Sequence, residues 1–144
     1  QWNQLLAEAA QNAGVITADE FAVFQNAGYM GLYGGMTVDD IHRKKNLEVG
    51  QKILDYMGST ELIANLFRIS QTEEKLRKDS VNIADTATAV HYKVGSEVRE
   101  AIEKIGGTMP EDLPTPEKSI AQLEKEQLQR LKQQALDGQL MLDE

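Results

Sequence analysis

Apolar side chains recur at helical spacing along most of this chain. Residues 2–13 carry them about one turn apart, and Gly14 follows as a stop signal. Thr17 and Glu20 then form a capping box, in which each side chain can bond the backbone N–H of the other residue. The pattern predicts two helices, the second ending near Ala27.

A glycine-rich segment, residues 28–35, alternates glycine with large apolar side chains. Glycine inside a helix costs about 1 kcal/mol relative to alanine. We therefore expect Gly28 to end the second helix and a compact loop to follow. Tyr29 and Tyr33 of this loop are either buried or presented at a surface.

Two short helical pieces are predicted after the loop. Thr37 caps the first, and Asp39 and Asp40 in its first turn suit the positive end of the helix dipole. The second covers residues 49–57 and ends at Gly58.

A longer helix is predicted for residues 60–78, with Ser59 as its cap. Its apolar face comprises Leu62, Ile63, Leu66, Phe67, Ile69 and Ser70. A polar stripe runs beside this face at positions i, i+4, i+7 and i+11: Glu61, Asn65, Arg68 and Thr72. The favoured interpretation is structural, because buried polar groups usually serve packing by bonding neighbouring segments or water. The alternative is a contact surface.

The next helix is predicted for residues 83–105. Its core stripe comprises Ile83, Ala87, Val90, Val94, Val98, Ala101 and Ile105. Gly95 within it indicates a close helix crossing. Gly106 and Gly107 end it, and a proline-rich connector follows over residues 108–116.

A last helix is predicted from Glu117 to about Ala135. Its apolar face is interrupted by Glu124 and Gln127. It is expected either to pack on a partner subunit as an imperfect coiled coil, giving a homodimer, or to stay half-frayed. Gly138 and the acidic end are expected to be disordered.

These elements give an all-α fold class: a single compact domain of about six short-to-medium helices, with a longer C-terminal helix after the connector. The expected units are a helical core over residues 1–107, the connector over 108–116, and the C-terminal helix with its acidic tail over 117–144. No convincing strand pattern is present.

Composition narrows the function classes. The 144 residues include no cysteine, which excludes a disulfide scaffold and a thiolate metal site. No apolar stretch reaches the ~18 residues of a membrane span, so no membrane partner is expected. The formal net charge is -8, which is unfavourable for nonspecific DNA binding unless one face collects basic residues.

Basic residues occur in two clusters in the middle of the chain. The candidate DNA-binding residues are Arg43, Lys44, Lys45, Lys75, Arg77 and Lys78. Residues 1–42 contain five acids and neither lysine nor arginine. The plainer interpretation of the clusters is a set of solvated helix ends.

No catalytic or metal-binding motif is evident. His42 and His91 are the two histidines, and neither belongs to a nucleophile motif. For His91 we expect a hydrogen-bond partner on a helix flank rather than a ligand. We predict no catalytic residues, no metal and no cofactor.

Several uncommon strings occur in succession along residues 4–124. They include Gly31-Leu32-Tyr33-Gly34-Gly35, Met57-Gly58-Ser59-Thr60-Glu61-Leu62, Ala64-Asn65-Leu66-Phe67-Arg68, Gln71-Thr72-Glu73-Glu74-Lys75-Leu76 and Gly106-Gly107-Thr108-Met109-Pro110-Glu111. This succession closely resembles the C-terminal half of the bacterial DNA-damage-inducible protein D family.

The resemblance implies a two-part protein, in which an N-terminal part similar to the BRO-type domain precedes the region seen here and is absent from this chain. It also implies expression in the SOS response, a cytoplasmic location at or near the nucleoid, and a role in restraining the recombinase filament. DNA contact would then fall mainly to the N-terminal half. The family offers no established catalytic residues to carry over.

Three functional hypotheses follow. The first is a non-enzymatic regulatory domain that contacts a recombinase filament or another repair protein. Its candidate contact residues are Tyr29, Tyr33, Asn65, Arg68 and Thr72, because aromatic side chains and arginine are typical interface anchors. An equal alternative is that the tyrosines fill the core. The second hypothesis is direct DNA binding through the two basic clusters, and the third is an enzyme.

Overall fold

The computed structural model describes the backbone of residues 2–143 and the side chains of residues 2–138. Within that range the regular elements are helical, and no strand occurs. The helices are α1 (Trp2–Asn12), α2 (Ala18–Leu32), α3 (Val38–Lys44), α4 (Ser59–Lys78), α5 (Ala84–Ile105) and α6 (Ile120–Asp143), with 3-10 helices at Ile53–Tyr56 and Pro110–Asp112. The all-α, single-domain prediction is confirmed.

Two of the predicted helix starts are confirmed in atomic detail. Thr17 accepts from the Glu20 N–H at 3.1 Å, and Glu20 accepts from the Thr17 N–H at 3.0 Å. Thr37 and Asp40 form the same reciprocal pair at the start of α3. The predicted cap at Ser59 is wrong, because α4 begins at that residue and no side chain caps it.

The predicted end of α2 at Gly28 is also wrong, because the helix continues to Leu32. The reason lies in the most extensive helix contact of the molecule, between α2 and α5. A Cβ at Gly31 would lie 2.3 Å from the Tyr92 carbonyl oxygen, and one at Gly95 would lie 2.5 Å from the Gly28 carbonyl oxygen. The glycines therefore let the two backbones touch, and the predicted close crossing at Gly95 is confirmed.

The core consists of two apolar clusters. The first joins α1, α2, α4 and α5 through Leu6, Ala9, Ala10, Ala13, Val15, Phe24, Ile69, Leu76 and Ala87. The second lies toward α3 and the first 3-10 helix and contains Tyr29, Leu32, Tyr33, Ile41, Ile53, Met57 and Val98. Both tyrosines of the glycine-rich segment are thus core residues.

The inward face of α4 agrees with the predicted one at Ile69 but differs at most other positions. Its buried residues are Glu61, Asn65, Arg68, Ile69, Thr72 and Leu76. Ile63 and Phe67, expected in the core, are 65% and 54% exposed. The polar stripe turns inward because its members bond one another and side chains on neighbouring elements.

Two other predicted features are shorter in the structure than expected: the buried stripe of α5 and the helical piece of residues 49–57. Ala87 and Val98 of α5 are buried, but Ile83 and Ile105 at its ends are exposed. Of the helical piece predicted for residues 49–57, only the 3-10 helix Ile53–Tyr56 forms, and Val49 is fully exposed.

The segment predicted as a connector packs on the body. Pro110 is buried, and Glu111 forms a two-pronged ion pair with Arg99 at 2.8 and 2.9 Å. After it, α6 makes its main contact with the first 3-10 helix. The helix passes through Gly138, where disorder was expected. The acidic end, also expected to be disordered, includes Glu144, which lies outside the described residues.

Candidate functional site

The polar stripe of α4 is part of a series of hydrogen-bonded groups inside the helical body. We call this series the core network. Its members are Lys45, Glu61, Tyr33, Asn65, Arg68 and His91. The steps of four and three residues along α4 place the stripe on one face, which is turned toward α2 and α5.

One end of the core network is an ion pair. The Lys45 Nζ donates to Glu61 Oε1 at 2.7 Å, and the two side chains are 6% and 1% exposed. Lys45 Nζ also lies 3.1 Å from the Tyr56 carbonyl oxygen and 3.4 Å from Thr115 Oγ1. The ammonium group is therefore engaged on three sides within the protein.

The other Glu61 oxygen accepts from the Tyr33 hydroxyl. Burial, and then the neighbouring Glu61 carboxylate, raises the pKa of Tyr33 far above its usual range, so the phenol stays protonated. Asn65 Nδ2 donates to the Tyr33 oxygen at 2.9 Å and to the Glu61 carbonyl oxygen at 3.0 Å. Asn65 thus links the ion pair to the middle of α4.

Arg68 is the central member and is 1% exposed. Its Nη2 donates to Asn65 Oδ1 at 3.1 Å, and its guanidinium carbon lies 4.4 Å from the centre of the Tyr29 ring. A cation over an aromatic face is stabilised by the ring quadrupole. Thr72 completes the stripe by donating to the Arg68 carbonyl oxygen at 2.7 Å.

His91 forms the far end of the core network. Its Nδ1 lies 2.8 Å from the Phe24 carbonyl oxygen, which can only accept, so Nδ1 carries the proton. Its Nε2 then accepts from Arg68 Nη1 at 2.6 Å. Burial, and then the positive Arg68, lowers the pKa of His91 to about 3. His91 was expected to have a hydrogen-bond partner, and it has two: the Arg68 guanidinium and the Phe24 carbonyl oxygen.

The five predicted contact residues therefore all lie inside the molecule. Tyr29 and Tyr33 belong to the second apolar cluster, and the other three belong to the polar stripe. In this conformation none of the five is more than 6% exposed, and the geometry supports the interpretation in which they organise the core. The periodicity of the stripe was the sequence signal for that role.

A cavity of about 360 Å³ opens beside the Lys45–Glu61 pair. Its wall includes Tyr33, Lys44 and Thr115, together with the second 3-10 helix. Because the Lys45 and Glu61 groups already bond one another, the cavity offers a polar wall whose charges are paired.

The candidate DNA-binding residues do not converge on a free basic face. Arg43 pairs with Asp40 at 2.7 Å and Lys44 with Asp112 at 3.6 Å, while Lys45, whose side chain is 6% exposed, pairs with Glu61 at 2.7 Å. In the second cluster Lys75 pairs with Asp79, and Arg77 with Glu73, both at 2.7 Å. Within the described side chains, Lys78 alone of the six lacks an acidic partner at ion-pair distance.

Sequence reasoning missed an exposed apolar surface on α4 and α5. We call it the apolar groove, a cavity of about 370 Å³ lined chiefly by Ile63, Phe67, Ala101, Ile102, Ile105 and Leu113. It was missed because Ile63 and Phe67 were assigned to the core, and the stripe of α5 to a buried face.

Among the described residues, no group of three or more acidic or histidine side chains is arranged to hold a metal ion. Over that stretch, no helix combines the length and the apolar character that crossing a bilayer requires.

The fold and the core network show what type of domain this is: an all-α domain with a hydrogen-bonded arginine–histidine pair buried in its core. Residues 1–123 match the family model described as the DinD C-terminal domain. The chain is also 61% identical, over 122 residues, to the DNA damage-inducible protein D of Escherichia coli (strain K12). It therefore belongs to the DNA damage-inducible protein D family.

That match covers 85% of this chain and 44% of the relative. The chain thus spans less than half the length of the curated relative that it matches. No solved structure matches the chain.

Proposed function

We propose that this chain is a non-enzymatic regulatory domain of a DNA-damage response protein, and that it acts through protein contacts rather than by gripping DNA. The family and the name of the Escherichia coli relative support a role in the damage response. The recombinase filament is the partner that the family resemblance implies.

The pairing of the basic residues is the observation that carries this proposal. Binding to a nucleic acid draws affinity from cations that neutralise phosphates. Here five of the six candidate cations already have an acidic partner within the molecule, and the chain carries a net charge of -8. A surface of this kind repels a phosphate backbone and leaves contact with protein as the better-supported activity.

The first experiment is a fluorescence-anisotropy titration of the chain against single- and double-stranded DNA over a salt series. We expect weak binding with a shallow salt dependence. A variant with Lys75, Arg77 and Lys78 replaced by alanine serves as the control, and it should behave like the wild type. Tight binding that weakens steeply with salt, and that this variant loses, would overturn the proposal in favour of direct DNA binding.

The second experiment tests whether the recombinase filament is the partner. The chain is sedimented with recombinase filaments assembled on single-stranded DNA, and with the same DNA alone. We expect it in the pellet with the filaments and in the supernatant with bare DNA. Absence from the filament pellet would contradict the proposed partner.

A further inference from the structure

The segment between α5 and α6 contains an acidic stretch, residues 111–116, which we call the strap. Its two adjacent acids each meet a cation of the helical body. Glu111 pairs with Arg99 on α5, and Asp112 pairs with Lys44 at the end of α3. We propose that the strap occupies, within its own chain, a binding site for an acidic peptide segment of a partner protein, and that the strap must lift before this partner can bind.

The strap supplies the acidic partners of both cations. Among the described side chains, neither Arg99 nor Lys44 has another carboxylate at ion-pair distance. Both cations also act on the same group. Burial alone would raise the pKa of Glu111, but Arg99, and to a smaller extent Lys44, hold it below its ordinary value. The two cations therefore lie close together, and lifting the strap would leave both unpaired.

Two other acids lie near this site, and neither takes the place of the strap. Glu61 lines the same cavity but is bonded to Lys45 at 2.7 Å. Glu103 lies one turn after Arg99 on α5, beyond ion-pair distance. The pKa of Arg99 is raised chiefly by its hydrogen bond to Glu111 and to a smaller extent by Glu103. With the strap lifted, the two freed cations would outnumber the nearby unpaired acid.

Arg99 is held ready for a carboxylate by the helical body itself. Its Nη1 donates to the Leu32 carbonyl oxygen at 3.1 Å, at the end of α2. Nη1 and Nη2 also donate to the two Glu111 carboxylate oxygens at 2.8 and 2.9 Å. A planar guanidinium matches a carboxylate in this two-pronged way, and here the carboxylate is carried by a peptide. An acidic peptide is therefore the occupant whose fit the structure displays.

The strap is fastened by side chains rather than by its backbone. Its backbone hydrogen bonds are local, from the Asp112 N–H to the Met109 carbonyl oxygen at 2.9 Å and from the Leu113 N–H to the Pro110 carbonyl oxygen at 3.3 Å. In the described part of the chain, none joins it to a core helix. The cavity of about 360 Å³ lies between strap and body, so the seat is loosely packed. The strap can thus lift from the buried Pro110 onward without breaking the helical body.

A tethered strap competes with a partner at high effective concentration. The apparent affinity for a partner peptide is then reduced in proportion to the fraction of molecules whose strap is lifted. The masked site rests on the proposed function, contact with protein, and adds where that contact is made and what controls it.

A peptide with the sequence of residues 109–116 serves as the probe for the partner segment. It is labelled with fluorescein and titrated by anisotropy with the full chain, and with a strap variant that combines Glu111→Gln and Asp112→Asn. We expect the strap variant to bind the peptide at least about tenfold more tightly than the wild type, because more of its sites are uncovered. A peptide with glutamine and asparagine in place of the two acids should bind neither chain.

Two further variants separate the site from a general effect of charge. Glu8→Gln with Asp85→Asn removes the same number of negative charges from exposed positions on α1 and at the start of α5, and this chain should bind the peptide as weakly as the wild type. Adding Lys44→Gln to the strap variant should abolish most of the gain in affinity. The Lys44 side chain is 47% exposed, so the fold should persist, which circular dichroism verifies.

Three results would overturn the inference. The first is equal binding of the peptide by the wild type and the strap variant, which would mean that the strap masks nothing. The second is no binding to the strap variant at a peptide concentration of about 1 mM, where even a weak site would be visible. The third is tighter binding of a single-stranded oligonucleotide than of the peptide to the strap variant, which would assign the site to phosphate. These titrations use no recombinase, so their failure is distinguishable from failure of the filament experiment.

Discussion

Arg68 is a guanidinium held in the core, and among the described residues no carboxylate lies within ion-pair distance of it. Burial lowers its pKa from the ordinary value. The charge is tolerated because a neutral histidine, an amide oxygen and an aromatic ring surround it. Such an arrangement stabilises the fold only while every partner is present, because removing one leaves a buried polar group unpaired.

We therefore predict that Arg68→Ala lowers the free energy of unfolding by about 3 kcal/mol, because it opens a cavity and leaves His91 Nε2 and Asn65 Oδ1 without a donor. Arg68→Met should cost less, since it fills the space and removes the buried charge. Urea unfolding followed by circular dichroism measures both. An Arg68→Ala variant as stable as the wild type, but deficient in partner binding, would instead restore the contact-surface interpretation.

His91 makes stability depend on pH in a known direction. In the unfolded chain its pKa is near 6.5, whereas burial beside Arg68 lowers the folded value to about 3. Below pH 6.5 the unfolded state therefore binds a proton that the folded state refuses. Stability contributed by neutral His91 is complete above that pH and is lost as the pH falls toward 3, by up to about 1.4 kcal/mol per pH unit.

The measurement is the difference in unfolding free energy between the wild type and His91→Gln from pH 7.5 to pH 4.5. Glutamine does not titrate, so the difference isolates the histidine from the carboxylates. We expect the advantage of the wild type to shrink steadily below pH 6.5. A constant difference across the range would show that His91 binds its proton equally in both states.

At the scale of helices, the α2–α5 crossing is the most demanding contact. Gly31 meets the Tyr92 carbonyl oxygen and the Ser96 nitrogen, which are backbone atoms and cannot swing aside. We predict that Gly31→Ala lowers the free energy of unfolding by about 3 kcal/mol through overpacking.

The matched control for this crossing is Gly138→Ala, also in a helix but with open space where the Cβ would lie. That change should leave stability unchanged or raise it by about 1 kcal/mol, because alanine favours the helix. Thermal unfolding of the two variants measures whether Gly31→Ala destabilises the protein while Gly138→Ala does not. Equal effects would mean that helix propensity, and not the close approach, governs both glycines.

The same crossing shows what the sequence could and could not predict. Capping boxes and a glycine stop act within one turn, so the starts at Thr17 and Thr37 and the end of α1 were readable. The end of α2 was not, because the partner of Gly28 and Gly31 lies on α5, more than sixty residues away in the sequence. Local propensity counts only the cost of those glycines and omits the contact that offsets it.

The inward face of α4 marks the same limit for the candidate site. The spacing of Asn65 and Arg68 was readable as a stripe, and so was its structural role. The partners of the stripe were not readable, because Tyr33 and His91 come from elsewhere in the chain. An apolar count alone therefore placed Ile63 and Phe67 in the core and concealed the groove.

At the scale of the whole molecule, the segment between residues 107 and 116 packs against the helical body. The segment between these points is seated on the body by Pro110, by the Glu111–Arg99 pair and by Thr115 beside Lys45. By contrast, α6 adds a surface that lies outside the two core clusters. The body should therefore fold without α6 and depend on the preceding segment.

We predict that a chain ending after Pro116 unfolds cooperatively, at low concentration, with nearly the stability of the full chain, while losing only the helical signal of α6. A chain ending after Met109 should be less stable by about 3 kcal/mol, because Arg99 and Lys45 lose charged or polar partners and the site of Pro110 empties. Urea unfolding by circular dichroism compares the three chains. If the two truncations were equally stable, residues 110–116 would be a linker, and the body would end at Gly107.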